Sequence, residues 1–140
     1  MAAILAILSL AAASAAAPNP EADAWDVVAT MAAALAEPNE YAFMKPIAKS
    51  VAEHGYLELQ VRALVHTNDV VSSISPVTNE GDDKQRTLEV DWYMQIHPQA
   101  PGRSLIERRE NIKLTMVKAG KHWMITAISP ATFFAAPDTN

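Results

Sequence analysis

The chain has 140 residues, of which 50% are hydrophobic and 19% are charged, and its formal net charge is -5 at pH 7. This length fits one domain, and the apolar content is sufficient for a packed core. The acidic balance argues against nucleic acid or an anionic membrane surface as the main partner, because both require concentrated Lys and Arg. The sequence contains no cysteine, which excludes disulfide bonds, cysteine nucleophiles and thiolate metal sites.

Residues 1–17, MAAILAILSLAAASAAA, carry no charged side chain and are mostly Ala, Leu and Ile. The run is shorter than the roughly 20 residues of a membrane span, and it ends in small residues that fit a small-x-small cleavage site. The pattern predicts a signal peptide over residues 1–17 and a single domain over 18–140. No Lys or Arg precedes the apolar run, so an alanine-rich helix of the mature domain is the alternative. We expect export to the periplasm or secretion, with no membrane association after cleavage.

The mature chain opens with a predicted helix from Asn19 to Glu37. Asn19 supplies a capping side chain, and Pro20 is tolerated at the first helical position. Apolar residues then recur at spacings of three and four. The helix is expected to stop at Glu37, because the proline that follows disfavours helical geometry in the residue before it. A second short helix, beginning two residues later, carries Phe43 and Met44.

Residues 50–66 fit two periods. Alternation of apolar and polar residues over Leu57–Val65 indicates a half-buried strand. A helix is indicated by the candidate capping box of Ser50 with Glu53, and by an apolar stripe of Leu57, Val61, Leu64 and Val65. The period of the pattern alone leaves both interpretations open.

After residues 50–66 the sequence pattern becomes typical of β-strands. Four strands are predicted, over Val70–Val77, Arg86–His97, Ser104–Lys118 and His122–Ser129. Pro76 places the first strand at an edge or a bulge, and Asn79–Asp83 reads as a polar turn. In the second strand one face consists of Leu88, Val90, Trp92, Met94 and Ile96. The other face consists of Glu89, Asp91, Tyr93, Gln95 and His97. Helices followed by a meander predict an α+β domain with helices packed on one face of a curved antiparallel sheet.

Three stretches, AWDVVATMAAALAEPNEYAFMKPI, RTLEVDWYMQI and RRENIKLTMVKAGKHWMITAISPATFF, resemble the nuclear-transport-factor-two-like superfamily. This superfamily is also called SnoaL-like or ketosteroid-isomerase-like and has a cystatin-like fold. The resemblance covers most of residues 20–137. It implies a cone-shaped α+β barrel with at least four strands, a pocket between the sheet and the helices, and frequently a homodimer packed through the sheet. It also implies a helix before the meander, which favours a helix over Ala52–His66.

In such a pocket the informative residues are polar side chains that point inward. If the face of Trp92 is the inner one, the facing strand contributes Arg108 and Glu110 to an otherwise apolar row. Two opposite charges on one face favour an ion pair at the pocket floor, although a solvated salt bridge at a wet rim is the alternative. The predicted ligand-binding set is Arg108, Glu110, Trp92, Met94, Phe43, Met44 and Tyr56.

No residue is predicted to be catalytic. The alternation of the second predicted strand places Asp91 and His97 on its polar face. A catalytic carboxylate is expected instead among apolar residues, which raise its pKa. Neither a metal nor a cofactor is expected, because His54, His66 and His122 lack the spacing of a metal site.

Three functions remain open on the sequence. The first is an exported, non-catalytic domain that binds a small apolar or amphipathic ligand, forms a homodimer through the sheet, or does both. In that dimer, Tyr93 and Arg109 are expected to stack as a cation–π pair. The second is a lyase or isomerase that uses the same pocket. The third is a structural dimer whose pocket is filled by its own side chains.

The second and third predicted strands, Arg86–His97 and Ser104–Lys118, are expected to pair in antiparallel fashion. This pairing sets Trp92 near Glu110 and Tyr93 near Arg109.

Overall fold

The computed structural model describes residues 19–137. The predicted signal peptide lies outside them. The helices are α1 (Pro20–Ala36), α2 (Glu40–Met44) and α3 (His54–Thr67), and the strands are β1 (Asn68–Gly81), β2 (Gln85–Pro98), β3 (Ile106–Ala119) and β4 (His122–Ser129). A short 3-10 helix, Ala131–Phe134, follows β4. The predicted α+β class is confirmed. Within residues 19–137 no helix has both the length and the apolar character needed to cross a bilayer.

The helical corner at the start of the domain follows the sequence signals. The Asn19 side chain accepts a hydrogen bond from the Ala22 amide at 3.1 Å, and Asn39 caps α2 in the same way. Helix α1 ends at Ala36, next to the predicted limit at Glu37. The Asn39 amide then donates to the Ala34 carbonyl at 2.8 Å, which closes the corner between α1 and α2.

The ambiguous stretch is a helix, with α3 running from His54 to Thr67. Its buried residues are the four of the helical stripe: Leu57, Val61, Leu64 and Val65. Leu59, which a strand would have buried, is 64% exposed. The expected capping box does not form. Glu53 occupies the cap position without a side-chain hydrogen bond, because the preceding turn, closed by His54 N–H donating to the Val51 carbonyl, delays the helix start.

The sheet is an open antiparallel meander of order β1-β2-β3-β4. The predicted pairing is confirmed, since Trp92 lies opposite Glu110 and Tyr93 opposite Arg109. Strand β1 is longer than predicted and continues to Gly81, through the first part of the expected turn.

Pro76 is accommodated because β1 is an edge strand with a shift of pairing between Pro76 and Thr78. At the other edge, residues 46–48 run beside β4. The Ile125 amide donates to the Pro46 carbonyl at 2.7 Å, and the Ala48 amide donates to the Ile125 carbonyl at 2.9 Å. These two bonds cover the centre of the β4 edge.

The core lies between the helices and the inner face of the sheet. All five apolar residues predicted to face inward on β2 have zero exposure: Leu88, Val90, Trp92, Met94 and Ile96. On β3 the inward row continues through Ile112, Leu114 and Met116, which are also completely buried. The outer-face side chains of β2 remain half-buried or exposed.

Candidate functional site

Three of the predicted pocket residues, Phe43, Trp92 and Arg108, contact the C-terminal 3-10 helix. Two others, Tyr56 and Glu110, are exposed. Phe134 makes edge-to-face contacts with Phe43 at 5.1 Å and with Trp92 at 5.0 Å between ring centroids. Phe133 adds a third contact to Trp92 at 6.4 Å. Phe43, Trp92 and Met94 have zero exposure, so they are part of a packed aromatic core. Edge-to-face rings at these separations attract each other beyond simple area burial.

Hydrogen bonds from two elements hold the C-terminal segment, residues 131–137, in this position. Arg108 on β3 donates through Nη1 to the carbonyls of Phe133, at 2.9 Å, and Ala135. Gln60 on α3 accepts a bond from the Ala136 amide at 3.0 Å. Partial burial lowers the pKa of Arg108 from its ordinary value, and nearby Tyr56 opposes that shift. The segment is therefore clamped between the sheet and α3.

The expected ion pair between Arg108 and Glu110 is not present in residues 19–137. Arg108 donates instead to backbone carbonyls that lie 25 and 27 residues further along the chain. The Glu110 side chain is exposed and stays in water. The prediction was wrong because the spacing of residues along β3 does not show that the C-terminal segment, residues 131–137, packs beside Arg108.

Arg86 is a charged residue of the inner face that is not in the predicted ligand-binding set. It is only 6% exposed and belongs to the inward row of β2. Its guanidinium donates to the Asn79 side chain at 2.8 Å, to the Asn79 carbonyl at 2.9 Å and to the Asp82 carbonyl at 3.3 Å. Arg86 has the same parity as Trp92, so strand alternation places it on the inner face, although its charge alone would place it at the surface.

The outer face of the sheet carries a network of polar side chains. The Tyr93 hydroxyl donates to Glu107 at 2.8 Å, and Gln95 donates to the Tyr93 hydroxyl at 3.1 Å. Arg109 forms a two-pronged ion pair with Asp91 at 3.0 and 2.6 Å, and its hydrogen bond lowers the pKa of that carboxyl. Tyr93 and Arg109 do not stack on each other within residues 19–137 of a single chain, and the stacking expected in a dimer stays a prediction. Each side chain turns instead to a carboxylate one diagonal away.

A second polar cluster lies between α2 and α3, beside a cleft of about 570 Å³. Glu40 contacts His66 at 3.1 Å and Arg62 at 3.7 Å. A hydrogen bond to the backbone and the one with His66 lower the pKa of Glu40. The cleft is lined in part by Met44, a predicted ligand residue that is also buried in the hydrophobic core. No group of His, Asp or Glu within the described chain has the arrangement of a metal site.

Solved structures with the same arrangement of helices and strands include proteins from several sources. A conserved protein from Planctomyces limnophilus superposes with a TM-score of 0.69 at 8% identity, over 77% of this chain and 91% of that chain. A protein of unknown function from Nostoc punctiforme with a cystatin-like fold gives 0.58 at 13% identity, over 76% and 86%. A type 2 hexachlorocyclohexane dehydrochlorinase gives 0.59 at 7% identity, over 76% and 80%.

No protein-family model and no curated protein matches the sequence. The structural likenesses establish that the chain is an α+β protein of the cystatin-like class. Within that class it has the fold of the nuclear-transport-factor-two-like superfamily, as the sequence resemblance implies. That fold includes both an enzyme and a protein of unknown function, so the fold by itself does not decide between catalytic and non-catalytic roles.

Proposed function

We propose that the protein is an exported, non-catalytic module that forms a homodimer through the outer face of its sheet. The observation that carries the proposal is the asymmetry of the sheet. Helices and the C-terminal segment cover the inner face, whereas the outer face presents an ordered polar network to solvent. Export rests on the apolar character of residues 1–17.

The composition of the inner face supports a non-catalytic role. The buried polar or charged residues of the described chain are Asn68 and Arg86, neither of which is an acid–base catalyst at neutral pH. Phe133 and Phe134 occupy the space in which a substrate would have to lie. A lyase or isomerase requires a titratable group among apolar neighbours, and the inner face offers it none within residues 19–137. This favours a filled interior over the enzymatic alternative.

The size of the outer face matches what a stable dimer needs. Four strands at about 4.8 Å spacing and a dozen residues at about 3.3 Å each give a face of roughly 19 by 40 Å. That area is on the order of 700 Å², close to the about 800 Å² that each partner buries in a standard interface.

The charges on this face suit contact with an identical copy. Carboxylates of Asp91 and Glu107 alternate with the cations of Arg109 and Lys113 on the two central strands. A two-fold axis sets the same patch against itself, so a surface carrying both signs can be self-complementary. Two exposed valines on β1, Val71 and Val77, add apolar area beside the polar network.

The test is the association state of two variants that carry the same substitution on different surfaces. Ser73 lies opposite Tyr93 on the outer face, and Ser50 lies in the connection between α2 and α3. We expect the unmodified protein to sediment as a dimer at micromolar concentration. Ser73→Arg is expected to weaken the dimer at least about tenfold, because a bulky charge buried in an interface is costly to desolvate. Ser50→Arg is expected to leave it unchanged. A protein that sediments as a monomer at high micromolar concentration contradicts the proposal.

A further inference from the structure

A mostly apolar groove of about 490 Å³ lies between α1, the end of α2 and the start of β4. It is separate from the aromatic core, and no residue of the predicted ligand-binding set lines it. Its walls and rim are formed by Asp26, Val27, Thr30, Ala42, Lys45, Pro46, His122, Trp123 and Met124. Its volume lies within the range of pockets that hold small organic molecules.

Trp123, one wall of this groove, has an incomplete set of polar contacts. The residue is only 4% exposed, and its indole Nε1 is buried with no hydrogen-bond acceptor within residues 19–137. A buried indole N–H normally has a partner, because leaving it without one costs the desolvation of the group. Trp92 illustrates the usual case, since its Nε1 donates to the Ser72 hydroxyl at 3.1 Å. Because this N–H has almost no accessible surface, a ligand in the groove would contact the ring of Trp123 and not its Nε1.

The backbone of β4 offers a polar anchor in the same groove. The amide and carbonyl of Ile125 point to the free edge of the sheet, where they bond to Pro46 and Ala48. Backbone groups two residues apart on a strand point to the same side, so the amide and carbonyl of Trp123 face this edge as well. Neither group bonds outside the β3–β4 ladder in the part of the chain that the structure describes.

The charged side chains near the groove indicate what kind of polar group a ligand would carry. Lys45 forms no ion pair with any carboxylate of residues 19–137, and a second cation, Lys118, lies 5.2 Å from the Trp123 ring centroid. Asp26 is the single acid among the lining residues. We propose that the groove binds a small amphipathic anion, with its apolar body against Trp123 and Met124 and its acid head between Lys45 and the backbone N–H of Trp123.

The experiment titrates the protein with decanoate and follows the tryptophan indole N–H signals by NMR. The three tryptophans give one signal each, and Trp123→Phe assigns the relevant one. We expect a saturable shift of the Trp123 signal, with the Trp92 signal unmoved. Decanol, which has the same apolar body without the charge, is expected to bind at least about fivefold more weakly, the scale of one exposed charge contact.

Matched variants localise the head group. Lys45→Gln is expected to weaken decanoate binding at least about fivefold, whereas Lys49→Gln, a few residues along the same connection, leaves it unchanged. Asp26→Asn is expected to strengthen binding, because it removes the repelling acid. Thr30→Phe, which fills the groove from α1, is expected to abolish the shift while the far-UV spectrum stays that of the folded protein.

Three results overturn the proposal. One is the absence of saturable binding at concentrations on the order of 1 mM. Another is a shift of the Trp92 signal in place of the Trp123 signal, which moves the site to the aromatic core. The third is a Trp123 signal that responds to protein concentration and not to decanoate, which makes a second copy of the chain the occupant. Because the groove and the outer sheet face are separate surfaces, failure here leaves the proposed dimer unaffected, and a monomeric protein leaves this site testable.

Discussion

Gly81, at the end of β1, occupies a backbone conformation that other residues rarely adopt. Its φ is +140°, and a Cβ added there would lie 2.2 Å from the Gln85 carbonyl oxygen and 2.7 Å from the Arg86 Cα. The absence of a side chain lets the chain turn closely over Arg86, whose guanidinium binds the Asn79 and Asp82 carbonyls. The hairpin between β1 and β2 therefore depends on this glycine.

We predict that Gly81→Ala lowers the free energy of unfolding by about 2 kcal/mol or more, because the backbone at both contacts must move. Gly55→Ala is the matched control. Its added Cβ meets nothing within 4 Å, and Gly55 lies inside α3, so we expect a gain of up to about 1 kcal/mol. Chemical denaturation of both variants measures the difference. Equal effects of the two substitutions contradict the explanation.

Single residues could be placed from the sequence where one periodicity dominated. The alternation of β2 predicted five buried side chains correctly, because burial on one face is the strongest constraint on a strand. The same parity also covers Arg86, but a charged residue is expected at the surface unless its acceptors are known. Those acceptors are the side-chain oxygen of Asn79 and two backbone carbonyls at the β1–β2 hairpin, and strand alternation does not identify them.

At the scale of elements, the C-terminal segment acts as a piece of the core although it has little regular structure. Phe134 has zero exposure and lies against Phe43 and Trp92, while Arg108 holds the backbone on either side of it. Segments near chain ends are usually poorly ordered unless such contacts fix them. The clamp is thus what makes the aromatic core continuous from α2 to β2.

We predict that Arg108→Met costs about 1–2 kcal/mol of stability, because two charge-assisted bonds to carbonyls are lost at a half-buried site. Amide exchange at Ala136 is expected to accelerate more than exchange at Ile112, since the tail is released before the sheet opens. Glu110→Gln is the control and is expected to change stability by less than about 0.5 kcal/mol. A cost for Glu110→Gln as large as that for Arg108→Met shows that the two side chains pair in solution.

Elements could be predicted from the sequence wherever a local signal existed, and helix α3 marks the limit. Both helical caps and the strand meander follow from capping residues, prolines and alternation. Residues 50–66 satisfied two periods, and the choice of a helix came from the family resemblance. The packing of Phe133 and Phe134 under Arg108 could not be predicted, because it joins elements more than 20 residues apart and leaves no spacing to detect.

For the whole molecule, the fold was largely predictable and the candidate site was not. The sequence pattern predicted a pocket around Trp92 and Phe43, and in the structure both side chains pack against Phe134. Whether that space is open depends on the last residues of the described chain, which fill it. The groove beside Trp123 depends on the edge of β4 meeting the connection after α2, a contact specified by tertiary packing alone.

Acid is expected to affect the outer face of the sheet before the interior. The hydrogen bond from Arg109 lowers the pKa of Asp91 from its ordinary value of 3.8, so this contact stabilises the fold above pH 3.8. The contribution is lost as the pH falls through the lowered pKa, because the carboxyl then takes up a proton. We predict that Asp91→Asn lowers stability at neutral pH and that the difference from the unmodified protein vanishes in strong acid. Thermal unfolding across this pH range measures it, and a difference that persists unchanged in acid contradicts the prediction.

The hydrogen bonds of Arg86 and Arg108, in contrast, are expected to persist when the pH falls. Arg86 and Arg108 bind backbone carbonyls and an amide oxygen, none of which takes up a proton in moderate acid. The cations themselves also keep their charge. Both cross-links, one at the first hairpin and one at the C-terminal segment, are therefore insensitive to acidity. In moderate acid the domain is therefore expected to lose the Asp91–Arg109 contact of its outer face while its aromatic centre stays closed.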